Sequence, residues 1–288
     1  MANLRIIRRR IRSVQNTAKV TRAMQMIAAS KMRRAQEQAL AARPYADKIH
    51  QVLSSITGQR AQGDELVHPL LERRPVRKSL VVHLTPDKGL CGGLPGNLNR
   101  RTAQFILGNE QPVSLLTVGR KGRDFMIRTG QDVVGAFIGL TDRPTLADTL
   151  PITQMMERLY TDREVDQVLL VYAQFVNVVV QQPTVVQILP VEPPEASSSG
   201  TGAGYLYEPD EQQIFGALLP RFLEMQVYHA VLESIASEQS ARMVAMRNAS
   251  EAANDMVDAL TLDMNKVRQE SITNELLDIV GGVVALEG

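Results

Sequence analysis

The feature that most constrains this chain is the absence of helix breakers at its two ends. Residues 2–43 contain no Pro and no Gly and are rich in Ala, Arg, Gln and Met, which are good helix formers. Stepping from Leu4 at alternating intervals of three and four residues meets Leu4, Ile7, Ile11, Val14, Ala18, Thr21, Gln25, Ala28, Met32, Ala35, Ala39 and Ala42. Ten of these twelve are apolar. An apolar seam held over more than five heptads predicts a coiled coil, and the small residues of its second half allow a close partner helix.

The other end repeats the pattern. From Leu218 the same stepping passes Phe222, Met225, His229, Leu232, Ala236, Gln239, Met243, Met246, Ser250, Ala253, Val257, Leu260, Met264 and Val267, twelve of fifteen apolar. Pro220 is expected to kink the helix or mark a new start. A start near Pro209 or Asp210 suits a first turn and the helix dipole. Gly281 and Gly282 are expected to end the regular helix.

Length then decides the architecture. At 1.5 Å per residue the first helix runs roughly 60–80 Å and the last roughly 100 Å. A compact body built from the middle ~150 residues has a radius of gyration near 15 Å. The helices are therefore expected to project from it.

Charge follows the same division. The whole chain of 288 residues carries 32 Lys and Arg against 31 Asp and Glu, a net charge of +1. Residues 1–48 hold twelve basic against two acidic residues, net +10, and residues 205–288 hold five against fourteen, net −9. Opposite charge makes each end the expected partner of the other. Arg5, Arg12 and Lys19 recur every seven residues beside the seam. Such a stripe suits phosphates, but residues 1–44 hold no aromatic for base stacking, and the seam is built to meet a helix. A solvated face, or one sliding past an acidic protein partner, is the reading preferred. A stalk that merely spaces or dimerises fits the pattern equally well. The Arg-rich start also has the look of an organellar transit peptide, a reading set aside because the heptads run on without a cleavage-like break. No apolar run is long enough to span a bilayer.

The middle alternates strand and helix patterns. Strands are expected at Ser79–Leu84, Val113–Val118, Val133–Ile138, Val168–Tyr172 and Val178–Leu189, the last bent or split at Pro183. Helices are expected at Leu98–Leu107, Arg120–Arg128 and Thr145–Tyr160. The alternation implies a mainly parallel sheet with helices on its faces. The division is an N-terminal helix over 1–57, a connector over 58–75, a Rossmann-like α/β domain over 76–189, a flexible loop over 190–208 and a C-terminal helix over 209–288. The fold class expected is α/β plus a long coiled coil.

No catalytic constellation stands out, and neither a metal nor a cofactor is expected. Gly89, Gly92, Gly93 and Gly96 follow a strand and precede a helix, as phosphate loops do, but match neither G-x-G-x-x-G nor G-x-x-x-x-G-K-[ST]. A closely packed structural turn is the better reading, with Asp87 as a turn residue. Cys91, the one cysteine, has no local His or second Cys, and a buried thiol is preferred to a nucleophile. His50, His68, His83 and His229 form no i, i+4 pair. His83 falls mid-strand, as a core or face residue.

Three segments carry a resemblance. The head NLRIIRRRIRSVQNTAKVTRAMQMIAASKMRRAQ (3–36) resembles the gamma subunits of F-type ATP synthases. So do the tail segments ASEQSARMVAMRNAS (236–250), LTLDMNKVRQESITNELL (260–277) and IVGG (279–282). The loop DKGLCGG (87–93) is similar to the family's acidic-basic-Gly-Leu-Cys-Gly-Gly signature.

The resemblance implies an antiparallel coiled-coil shaft inside a ring of alpha and beta subunits. The α/β domain would lie against the epsilon subunit and the membrane-embedded c-ring, with the chemistry in the partners. It implies a central-stalk rotor, peripheral on the cytoplasmic side of a bacterial inner or plasma membrane, that binds no cofactor, metal or nucleic acid of its own. Met24 matches the family's Met near the acidic collar of the beta subunits, with Arg9 and Arg10 in the basic stretch close by. Arg268, Gln269 and Thr273 match positions that hydrogen-bond the ring near the shaft tip, and Arg242 a polar position on the tail helix. Gln25 stands where the family usually has a charged residue, and the redox-switch insertion of plant chloroplast versions, with its second cysteine, is absent. The residues alone leave a second reading open, a coiled-coil scaffold or nucleic-acid-binding protein with an α/β head.

Overall fold

The computed structural model describes residues 2–59, 68–192 and 211–287, without the side chains of residues 2, 3, 55–59, 211, 278 and 281–287. Parts of the expected connector (60–67) and loop (193–208), and the expected start at Pro209 or Asp210, lie outside the described residues. The chain divides into two compact units, Met1–Ala28 with Met243–Gly288, and Ala29–Arg242.

In the larger unit, β1 (Ser79–Leu84), α2 (Leu94–Gly108), β2 (Val113–Val118), α3 (Arg120–Arg128), β3 (Val133–Phe137), α4 (Leu146–Thr161), β4 (Gln167–Phe175) and β5 (Gln181–Leu189) follow one another. The five strands form one sheet in the order β3-β2-β1-β4-β5. β1 pairs in parallel with β2 (Leu80 opposite Ser114) and with β4 (Leu80 opposite Val168). All six residues of central β1 are buried, which is why it shows no alternation of apolar and solvent-facing positions, with Ser79 and His83 buried among the apolar ones. β5 is antiparallel to β4. It runs straight through Pro183, where an interruption was expected. Pro183 lies opposite Ala173 on the sheet's edge strand, where a missing N–H need not cost a ladder bond.

Side chains of alternate parity divide the core. Leu80, Val82, Leu84, Leu116 and Leu170 face α4 through Ile152, Met156 and Tyr160, and face the C-terminal helix through Phe215, Leu219, Leu223 and Val227. Val81, Leu115, Leu169 and Val171 face Met126, with Phe105 and Phe125 packed against them. The result is a three-layer α/β arrangement. α4 opens with a capping box between Thr145 and Asp148, which satisfies two donors of the first turn. α2 begins four residues ahead of the expected Leu98, because Pro95 falls in its first turn, where a missing N–H costs nothing.

Two long helices bracket this body in sequence: α1 (Ala2–Gln59) and α5 (Glu211–Glu287). Neither Pro44 in α1 nor Pro220 in α5 ends its helix. α5 also continues through Gly281 and Gly282, where an end was expected. A helical Gly costs about 1 kcal/mol relative to Ala but keeps its N–H. Within the larger unit the two helices run antiparallel: Gln38 hydrogen-bonds Tyr228, and the His50 ring lies 6.4 Å from that of Phe222.

In the smaller unit the seam is visible in burial. Leu4, Ile7, Ile11, Val14, Ala18, Thr21 and Ala28 are buried or half-buried, whereas Arg5, Arg8, Arg9, Arg10, Arg12 and Lys19 are exposed. On α5, Met246, Ser250 and Ala253 are buried, and Val257, Leu260, Met264 and Val267 half-buried. Ser250 Oγ donates to the Ala18 carbonyl at 3.4 Å, a contact that needs small residues on both helices.

Candidate functional site

The loops at the carboxyl ends of the parallel strands are where open α/β sheets take ligands. Here the loops of that edge are tied together by the chain's own groups. Asp87 lies just past β1, and its Oδ1 accepts the Arg120 N–H at 2.8 Å while Oδ2 accepts the Gly139 N–H at 2.7 Å. One carboxylate thus ties the loops after β1, β2 and β3 together and caps the first turn of α3. The Pro86 carbonyl takes the next donor, from Lys121, at 3.2 Å. The anion that a helix N-terminus attracts is supplied from within.

Gly119 makes the close approach possible. Its φ is +100°, and a Cβ there would stand 1.9 Å from the Thr85 carbonyl oxygen. The glycine loop itself is a turn, with Leu90 and Gly92 at φ of 65° and 60°. Cys91 is buried, its thiol 3.7 Å from the Lys88 carbonyl, and burial together with the nearby Glu238 carboxylate pushes its pKa up. A raised pKa disfavours the thiolate that nucleophilic chemistry needs. The thiol is buried as expected, but the close packing expected of the glycine turn is not found: a Cβ at Gly96 would meet nothing within 4 Å, and at Gly89 and Gly93 nothing nearer than 4.0 and 3.8 Å.

Beneath the loop, His83 sits in the core. Its Nε2 must donate to the Asn99 carbonyl oxygen at 2.9 Å, so Nδ1 accepts the Thr102 hydroxyl, also at 2.9 Å. Burial lowers its pKa to about 4, against the opposing pull of Asn99. A cavity of about 380 Å³ remains at this edge, lined among others by Leu84, Asp87, Leu98, Val118, Ala173 and Glu238.

Of the sequence-predicted site residues, Arg242 alone belongs to this region. Its guanidinium pairs with Glu238 at 2.7 Å and donates to the Gly89 carbonyl at 3.2 Å. Only 11% of the side chain is exposed. The other six are in the smaller unit. Arg9, Arg10, Arg268, Gln269 and Thr273 are exposed and Met24 is half-buried. Gln269 and Thr273, four residues apart, share one face of α5.

Sequence reasoning missed Ser237, Glu238 and Ser240, all of which bond to neighbours. Ser237 Oγ donates to the Ala173 carbonyl at 2.9 Å and Ser240 Oγ to the Val178 carbonyl at 2.6 Å. The available signal was the polar run Ser237–Ser240 within an otherwise apolar stretch of α5.

Two long helices with exposed cationic and polar side chains, joined in sequence to a five-stranded α/β body, define the class of fold. The sequence profile described as ATP synthase matches residues 3–286. The ATP synthase gamma chain of Dehalococcoides mccartyi is 56% identical over 286 residues, covering 99% of this chain and all of that one. That of Herpetosiphon aurantiacus is 46% identical, covering 99% of both chains. A chain in the Euglena gracilis mitochondrial ATP synthase shares the fold, with a TM-score of 0.70 at 18% identity over 99% of this chain and 95% of that one. A chain in the central stalk and c-ring structure of the Tetrahymena thermophila mitochondrial ATP synthase has a TM-score of 0.60 at 25% identity, over 80% of this chain and 99% of that one. The chain belongs to the ATP synthase gamma-chain family.

Proposed function

We propose that this chain is the central-stalk rotor of an F-type ATP synthase. It transmits torque between a proton-driven c-ring in the membrane and a catalytic hexamer of alpha and beta subunits during ATP synthesis or hydrolysis. The observation that carries this reading is similarity to gamma chains along the whole length at 46–57% identity. The geometry supports it. A coiled-coil seam resists bending, and the exposed Arg stripe of α1 suits acidic surfaces on a surrounding ring. Ile272, Leu276 and Leu277 are exposed toward the end of α5, an apolar surface that suits an enclosing apolar sleeve.

In this reading residues 1–57 and 209–288 supply the shaft, and 76–189 the body that meets epsilon and the c-ring. The connector 58–75 and the loop 190–208 join them. Arg9, Arg10 and Met24 on α1, and Arg268, Gln269 and Thr273 on α5, contact the alpha/beta ring. Arg242 differs from these six because its guanidinium is engaged within the chain. No described helix is long and apolar enough to cross a membrane. Attachment to the cytoplasmic face of a bacterial inner or plasma membrane then comes through the complex. Family membership does not favour the scaffold or nucleic-acid reading.

Purification of the tagged native chain tests the proposal. It is expected to recover alpha and beta subunits in a large complex with ATPase activity. A free homodimer with salt-sensitive DNA binding would overturn it.

A further inference from the structure

α5 meets the α/β body in two chemically distinct stretches. From Phe215 to Leu232 the contacts are mainly those of the apolar core, with one polar contact where the Tyr228 hydroxyl donates to the Pro144 carbonyl at 3.3 Å. From Ser237 to Arg242 they become polar and aimed at backbone carbonyls. Ser237 Oγ donates to Ala173 at the end of β4, Ser240 Oγ to Val178 in the β4–β5 turn, and Arg242 to Gly89 in the glycine loop. Gln181 of β5 adds a bond from its Nε2 to Ser240 Oγ at 3.4 Å.

The receiving loops are themselves fixed. Asp87 ties the first to α3 and to Gly139. In the β4–β5 turn, Asn177 Oδ1 accepts from the Val179 and Val180 N–H groups at 2.9 and 2.8 Å. Glu238 holds the Arg242 guanidinium in place.

Each residue advances about 100° around a helix, so the arc from Ser240 through Ser237 and Glu238 to Arg242 covers roughly 200°. Near the middle of the arc, Ala241 packs against the cluster of Leu94, Leu98 and Ala173. The helix is thus gripped from both flanks of one apolar contact. Apolar burial scales with area and is indifferent to direction. Hydrogen bonds weaken steeply once their angle falls below about 120°, so bonds on opposite flanks resist rotation of α5 about its own axis.

We propose that Ser237, Ser240 and Arg242, with Glu238 holding Arg242, form a torsional key that locks α5 to the α/β body. They are positioning residues, and the inference rests on the rotor reading above: torque applied to the body enters α5 at this collar.

The test is single-molecule torsional stiffness of the rotor in the reconstituted complex, with the ratio of protons pumped to ATP hydrolysed measured in parallel. The triple variant Ser237→Ala, Ser240→Ala, Arg242→Gln removes the four bonds that this collar makes to the body. It is expected to soften the rotor by about twofold or more and to lower the pumping ratio, because at the collar only non-directional packing remains. Arg242→Lys keeps a cation opposite Glu238 and is expected to recover part of the stiffness. Should the triple variant fail to assemble, Ser240→Ala and Arg242→Gln alone are each expected to soften the rotor to a smaller degree. Variants that rotate with wild-type stiffness overturn the key and leave the rotor reading intact. A wild-type chain that drives no rotation overturns both.

Discussion

At the scale of single residues, His83 shows how burial sets chemistry. Both ring nitrogens are satisfied in the neutral form, and protonation would place a charge at a fully buried position without a counterion. The folded pKa of about 4 lies below the ordinary 6.5. The unfolded chain therefore binds the proton first as pH falls, and stability is lost from about pH 6.5 downward, fully so below about 4. Between pH 7.5 and 5.5 this one group is expected to cost roughly 1.4 kcal/mol, at 1.36 kcal/mol per pKa unit. Urea titrations at the two pH values check it, with His83→Gln as the comparison that lacks this dependence. An equal loss in both proteins would remove His83 as the cause. Asp87 works by different means, since its carboxylate occupies the anion position of the sheet edge and joins three loops.

At the scale of elements, the two long helices depend on where small residues fall. Ala18 is buried and its carbonyl receives the Ser250 hydroxyl, whereas Ala23 is exposed. Ala18→Leu overpacks the seam and is expected to cost about 1–3 kcal/mol, while Ala23→Leu costs little. Hydrogen exchange of amides around residues 14–22 reads the difference, and equal protection in both variants would contradict the assigned seam. This seam was legible because a heptad pattern is a direct image of helix geometry, and every position it named from Leu4 to Ala42 is at least half-buried. The strands were legible for a similar reason, as short β-branched runs bounded by turns. The end of α5 was not, because a glycine pair lowers helix propensity without forbidding the helix. Nor was the start of α2, where Pro95 initiates rather than breaks. The collar at Ser237–Arg242 stayed hidden for a deeper reason: its partners, Gly89, Ala173 and Val178, are backbone carbonyls distant in sequence, and a carbonyl leaves no mark on residue type.

At the scale of the whole molecule, a rotor needs stiffness within itself and weak, renewable contacts with its surroundings. Arg268 and Gln269 are exposed on α5, so Arg268→Ala and Gln269→Ala are expected to preserve the fold. In the proposed complex each is expected to weaken association with the ring by about tenfold, the equivalent of roughly 1.4 kcal/mol, and to lower coupled proton pumping. Titrating the variant chains into alpha/beta ring preparations measures it, and unaltered affinity with normal pumping would remove these contacts from the proposal. The central claim, that this chain carries torque, is met most directly by immobilising the alpha and beta ring and attaching a bead to the reconstituted chain. The account predicts that ATP hydrolysis turns the bead continuously in one direction. Hydrolysis at the normal rate with the bead stationary would contradict it.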